Sequence, residues 1–152
     1  MNLNLTNEQR KTAKAFLVSQ VGKPYKFGAE VKDPDNIVEI DCSELAEMVY
    51  KYLGFIIPDG ACNQFAFSIG ILEYKADTLD LAFYKKGQAI THIAICYDEN
   101  ILVEASGSKG KVVITPIKEF MKGRGENKFA GFRRPACIYN MELKPIPDGI
   151  KT

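Results

Sequence analysis

The apolar pattern of this chain changes character once along its length. Up to about residue 70 the apolar side chains recur at helical spacing, and from Leu79 onward they gather into short strand-like runs. That single change describes one domain with a helical first part and a strand-rich second part. A chain of 152 residues is long enough to bury a real core in such a domain.

Thr6 to Val21 carries Ala13, Phe16, Leu17 and Val21 near helical spacing. Thr6 or Asn7 can cap its start, and Gly22-Lys23-Pro24 ends it. Tyr25 to Ile40 holds Gly28, Pro34 and the turn-like Asp33-Pro34-Asp35-Asn36, so it reads as a loop. A second helix is expected from about Ser43 to Leu53, with the stripe Leu45, Ala46, Val49 and Leu53, Asp41 as a cap and Gly54 at its end. A third, weaker helix covers Ala61 to Gly70. Strands follow at Leu79–Tyr84, His92–Tyr97, Ile101–Ala105, Val112–Thr115 and Phe129–Arg133, giving a sheet of about five. Gly87 to Thr91 is turn-like. Glu119 to Asn127 reads as a charged surface excursion. The expected domain spans residues 1–140, and residues 141–152 form a C-terminal arm.

Net charge is +1, with 26% charged residues, so no single-sign field invites nucleic acid or an anionic membrane. No apolar run approaches the roughly 20 residues of a membrane span. The polar stretch Met1 to Arg10 has no apolar core of a secretory signal. The expectation is a protein that stays in the cell that makes it or leaves by a route needing no such signal. Cys42, Cys62, Cys96 and Cys137 form no C-x-x-C pair, and one histidine supplies a zinc site poorly. The four are an even number, yet a chain of this size without an export signal needs no disulfide framework.

Chemistry begins at Cys42. A thiol becomes a useful nucleophile as a thiolate, and the unpaired N–H groups and positive dipole end of a helix favour that form. The same N–H groups can receive the oxyanion of an acyl-transfer intermediate. A free cysteine is also commonly a buried structural residue. His92 weighs against that reading, because it is the sole histidine and so the only imidazole available as a base. A nucleophile at a helix start followed by a base on a strand is a papain-like layout.

The hairpin offers a third group. A three-residue loop at Asp98–Asn100 pairs Tyr97 with Ile101 and, counting back, His92 with Ser106. His92, Ala94 and Cys96 then share a face with Leu102, Glu104 and Ser106. Glu104 lies diagonal to His92, roughly 7–8 Å away between backbones, within reach of the ring N–H; the alternative is a solvated strand residue. A loop one residue longer or shorter would turn Glu104 to the other face.

Taken together, these residues resemble the NlpC/P60 cysteine peptidases. Gly22-Lys23-Pro24-Tyr25-Lys26-Phe27-Gly28 is similar to their G-x-P-Y-x-W/F-G motif, and Asp41-Cys42-Ser43 to D-C-S-G. Pro58 and Gln64 match a proline and glutamine six apart. Asp80-Leu81-Ala82-Phe83-Tyr84 is similar to the strand after a glycine in G-D-L-V-F-F, and His92-Ile93-Ala94-Ile95 to H-V-G-I. Leu102-Val103-Glu104-Ala105-Ser106 falls where the family has F-V-H-A-S. The resemblance runs from about Gly22 to Arg134.

It implies a papain-like α+β fold, with N-terminal helices packed on an antiparallel sheet. It implies hydrolysis of peptidoglycan stem peptides at a D-γ-glutamyl–diamino acid bond, with Cys42 as nucleophile, His92 as base and Glu104 in third place. Tyr25, Asp41 and Ser43 match positions near the nucleophile that help bind substrate in relatives. Glu44 replaces the usual glycine, where it is either a helix-start carboxylate favoured by the dipole or a binder of a cationic substrate group. Leu79 replaces another glycine, Asp59 an arginine, and Glu104 a histidine, asparagine or glutamine. No metal or organic cofactor is implied. A signal-less, stand-alone domain of this kind suits a phage lysin or virion-associated hydrolase. Two further readings use the same residues: an amidase or acyltransferase on another γ-glutamyl or acyl substrate, and a non-catalytic binding or structural module. Oligomeric state is not readable from the chain.

Overall fold

The structure, a computed structural model, describes residues 5–136. The order of elements is α1 (Asn7–Gln20), α2 (Cys42–Tyr52), α3 (Ala61–Ala66), β1 (Ser68–Ile71), β2 (Leu81–Lys86), β3 (Ala89–Cys96), β4 (Ile101–Ser106), β5 (Lys111–Pro116), α4 (Ile117–Phe120) and β6 (Lys128–Pro135). The fold is α+β with one antiparallel sheet. The expected domain limit at residue 140, the arm 141–152 and Cys137 lie outside the described residues.

Thr6 starts α1 with a capping box, its hydroxyl accepting from Gln9 N–H while the Gln9 side chain accepts from Thr6 N–H. Asp41 caps α2 by accepting Glu44 N–H at 2.9 Å. The stripe Leu45, Ala46 and Val49 is fully buried. It faces a sheet whose alternate residues Leu81, Phe83, Ile93, Ile95, Val103 and Ala105 join the same core. Residues of the opposite parity, Ala82, Tyr84, Ala94, Cys96 and Leu102, form a second core closed by Ile117 and Phe120. The sheet is thus covered on both faces.

The sheet has six strands in the order β1-β6-β2-β3-β4-β5, one more than the five expected. The extra strand is β1, which occupies residues read as the end of the third helix. That helix stops at Ala66 because Arg133 on β6 reaches across, donating to Phe65 O at 3.0 Å and to Ser68 O. Ser68 to Ile71 then pairs residue by residue with β6. Ile69 and Gly70 are poor helix formers, so the long-range pairing wins. The turn-like reading of Gly87 to Thr91 is also corrected: the hairpin turns tightly at Gly87 and Gln88, and β3 already begins at Ala89.

The β3–β4 register is the one that places Glu104 diagonal to His92, with Ile95 opposite Val103 and Cys96 opposite Leu102. The ladder ends there, and the strands part before His92 and Ser106. Leu79 carries a left-handed backbone, φ 71°, at the position where the family pattern has glycine. The strain, on the order of 1 kcal/mol, is held by burial and two hydrogen bonds. Leu79 N–H donates to Cys96 O, and Tyr50 Oη donates to Leu79 O.

Candidate active site

Cys42 is the first residue of α2, so its side chain stands at the helix end where N–H groups lack intrahelical partners. The loop before it is pinned on both sides. Tyr25 bridges to Ile40, Lys26 N–H donates to Ile40 O, and Gly28 N–H donates to Asp41 Oδ2 at 3.1 Å. Asp41 Oδ1 accepts from Ser43 Oγ at 3.2 Å as well as from Glu44 N–H. Asp41 therefore ties the Tyr25–Gly28 segment to the helix start, which explains why the two motifs occur together. Gln64, 1% exposed, donates to Ser43 O and Pro58 O, both at 3.0 Å. The proline and glutamine six apart are thus a brace for the start of α2.

His92 comes from β3, where the parting strands leave its ring between two elements. It faces the Cys42 thiol on one side, close enough for the two to interact, and its Nε2 lies 2.9 Å from Glu104 Oε1 on the other. With Nε2 engaged, Nδ1 is the nitrogen left for the thiol. Burial lowers the affinity of His92 for a proton, but Cys42 and Glu104 outweigh it and raise the pKa to about 9. His92 therefore favours its imidazolium form at this site. Tyr25 stands close enough to Cys42 and Asp41 to feel both; burial first, then these two charges, raises its phenol pKa. Its ring packs on Gly107, where an added Cβ would lie 3.3 Å from the ring.

Glu104 is fully buried and fully partnered. Oε1 accepts from His92 and from Arg124 Nη1 at 2.7 Å, and Oε2 accepts from Thr115 Oγ1 and Arg124 Nη2, both at 2.6 Å. Burial acts to raise its pKa, yet the bonds from Arg124, His92 and Thr115 bring it down to about 2. Arg124 and Thr115 were not apparent as site residues in the sequence. The stretch around Arg124 read as a surface excursion; instead α4 buries Phe120 completely, and Arg124 reaches inward to Glu104. The sole local signal is an arginine set between two glycines, Gly123 and Gly125.

Glu44 is only 6% exposed. It accepts Val31 N–H at 3.0 Å and lies with Glu47 and Asp59 in a group whose carboxylate oxygens approach within 4.8 Å of one another. That trio is the one acidic cluster among the described residues compact enough for a cation. Burial, opposed by the Val31 bond and aided by Glu47 and Asp59, raises Glu44 to about 8; burial and Asp59 raise Glu47 to about 7. A carboxyl with a raised folded pKa stabilises the fold fully below its unfolded value of 4.5 and loses that contribution as pH rises through about 8. The melting temperature should therefore fall between pH 5 and 8. Glu44→Gln should flatten that fall and be the more stable form at pH 8, by on the order of 1–3 kcal/mol. Parallel melts of both proteins across that range check this; identical slopes would count against proton sharing in the cluster.

Comparison with known proteins gives a consistent picture. The family model described as NlpC/P60 family matches residues 22–127. The chain is similar to the peptidoglycan endopeptidase RipB of Mycobacterium tuberculosis, 30% identical over 109 residues, which covers 66% of this chain and 45% of that protein. It is also similar to the probable endopeptidase p60 of Listeria grayi, 28% identical over 109 residues, covering 68% of this chain and 20% of that protein. Both matches span less than half of the curated relative. Among solved structures, an NLP/P60 family protein of Staphylococcus aureus superposes with a TM-score of 0.70 at 23% identity, covering 86% of this chain and 42% of that one.

Proposed function

This chain belongs to the NlpC/P60 family, and on that premise we propose that it is a cysteine hydrolase that cleaves amide bonds in peptidoglycan stem peptides. The observation that carries the reading is the single histidine, held between the helix-start thiol Cys42 and the buried carboxylate Glu104. No simpler role accounts for an imidazole so placed.

In this reading the Cys42 thiolate attacks the scissile carbonyl carbon. The backbone N–H groups of Cys42 and Ser43 receive the developing oxyanion. The tetrahedral adduct collapses to a thioester as the amide nitrogen leaves with the proton carried by His92. Neutral His92 next takes a proton from water; the hydroxide attacks the thioester, releasing the new carboxylate and returning the thiol proton to the pair. Glu104 keeps Nε2 engaged and stabilises the imidazolium. Tyr25, beside the thiol, and Asp41 and Ser43, at the helix start, line the approach of the substrate. The favoured bond is that between D-γ-glutamate and the diamino acid.

Digestion of purified peptidoglycan followed by mass spectrometry of the released muropeptides tests this. Fragments ending in D-γ-glutamate, with a new diamino acid N-terminus, are expected. Peptidoglycan left intact by the folded protein would move the substrate to another amide or acyl compound.

A further inference from the structure

The carboxylate behind His92 does not act alone. Arg124 meets Glu104 with two parallel hydrogen bonds, 2.7 Å to Oε1 and 2.6 Å to Oε2. Such a fork fixes both oxygens in one plane, which a single bond does not. Oε1 is the oxygen that also faces His92 Nε2. The guanidinium lies over the rings of Tyr84 and Phe120, at 5.3 and 5.5 Å, and these rings also flank His92.

The backbone that carries Arg124 is itself fastened. Arg124 and Asn127 exchange two backbone hydrogen bonds at 2.9 Å across Gly125 and Glu126. The Asn127 side chain accepts from Thr91 Oγ1 at 2.7 Å, one residue before the base. Gly123, at φ 78°, passes so close that an added Cβ would meet Asn127 O at 2.8 Å. A turn this constrained, tied to the strand of His92, is a device for placing one side chain.

We propose that Arg124 is a positioning residue for the hydrolysis: it locks the Glu104 carboxylate in plane and balances its charge, so that His92 keeps Nε2 on Glu104 and Nδ1 on Cys42. The proposal rests on Cys42 and His92 being the reacting pair. Without Arg124, Glu104 would keep only its bonds with Thr115 and His92, its plane no longer fixed, and would lose the cation that balances its charge. Every charged or titratable group facing this assembly enters the balance: Cys42 from α2, Tyr84 from β2, His92 from β3, Glu104 from β4 and Glu119 from α4. Against these, Arg124 is the fixed cation. Its removal raises the affinity of His92 for its proton and slows the gift of that proton to the leaving amide nitrogen.

The test uses the full chain, in which the ring signals of the sole histidine can be followed by NMR without ambiguity. Arg124→Met keeps the contact with Tyr84 and Phe120 but loses fork and charge. Its His92 titration midpoint should rise by about half a pH unit or more. Its kcat/KM on muropeptides should fall about 10–10²-fold, mainly through kcat. Arg124→Lys should bring the midpoint back toward the parent and regain part of the activity. The double variant E104Q/R124M, with a neutral acceptor that needs no counter-charge, should be more active than R124M alone. An unmoved midpoint, or undiminished kcat/KM, in folded R124M overturns the proposal. If R124M does not fold, R124K decides: a severalfold lower kcat at unchanged KM supports the positioning role, and an unchanged kcat overturns it. A moved midpoint in a protein whose parent leaves muropeptides uncut separates the two readings, since the hold on His92 then stands and the hydrolase assignment falls.

Discussion

Cys42→Ala should abolish release of stem-peptide fragments, lowering turnover by about four orders of magnitude or more. The reason is chemical: no other described cysteine stands at a helix start beside the imidazole. Cys62 is exposed on α3, and Cys96 is buried at the C-terminal end of β3, beyond His92, where burial and the nearby acidic groups push its pKa well up. The fold should be untouched, because Cys42 is only partly buried and its loss removes one sulfur atom. His92→Ala should be comparably inactive while keeping Cys42 in place. Both variants are to be assayed on purified peptidoglycan beside their melting curves. Full turnover by either folded variant would remove the pair from the chemistry.

The second large effect concerns stability. Asp80 is completely buried just before β2, and Arg134 on β6 is 5% exposed. They form a two-pronged pair, Nε to Oδ1 and Nη2 to Oδ2, both 2.7 Å. Asp80 Oδ2 also accepts Asp77 N–H at 2.8 Å, and Asp77 in turn pairs with Arg10 of α1. The pair joins a central strand, the strand beside it and the first helix. Asp80→Ala takes the counter-charge from a buried guanidinium, which keeps a long bond to Lys75 O at 3.3 Å, and should cost about 3–5 kcal/mol. For a chain of this size that is roughly 6–20 °C in melting temperature. The combined change Asp80→Leu with Arg134→Met should recover much of the loss, since apolar replacements leave no buried charge unpaired. If the double variant is no better than the single one, the energy lies in the pair's hydrogen bonds rather than in the stranded charge.

These expectations also show what was legible in the chain. The two long helices were readable because Ala13, Phe16, Leu17 and the Leu45–Val49 stripe keep one period and because Thr6 and Asp41 are strong caps. Glu104 could be placed beside His92 because a three-residue loop fixes register, and register fixes parity. What escaped reading depends on distant partners. The strand Ser68–Ile71 is too short for its alternation to stand out from the preceding helical pattern, and it exists because β6, more than 60 residues later, supplies its hydrogen bonds and Arg133. Arg124 lies 20 residues beyond Glu104, and nothing periodic links the two. Glu44 does stand in the first turn of α2, as the helix-start reading has it, but its 6% exposure and its neighbours Val31 and Asp59 come from segments outside the helix that local sequence does not connect to it.

The order of strands has a consequence for how such a protein is made. A ribosome delivers the thiol early, on α2, and the imidazole much later, on β3; the arginine that steadies the carboxylate follows later still. β6, the last of the strands, does not add to an edge but inserts between β1 and β2. Until it has emerged, β1 has no neighbour and the Asp80 carboxylate has no guanidinium. From Cys42 until β6 has emerged, a nascent chain therefore carries its helix-start thiol without the completed sheet.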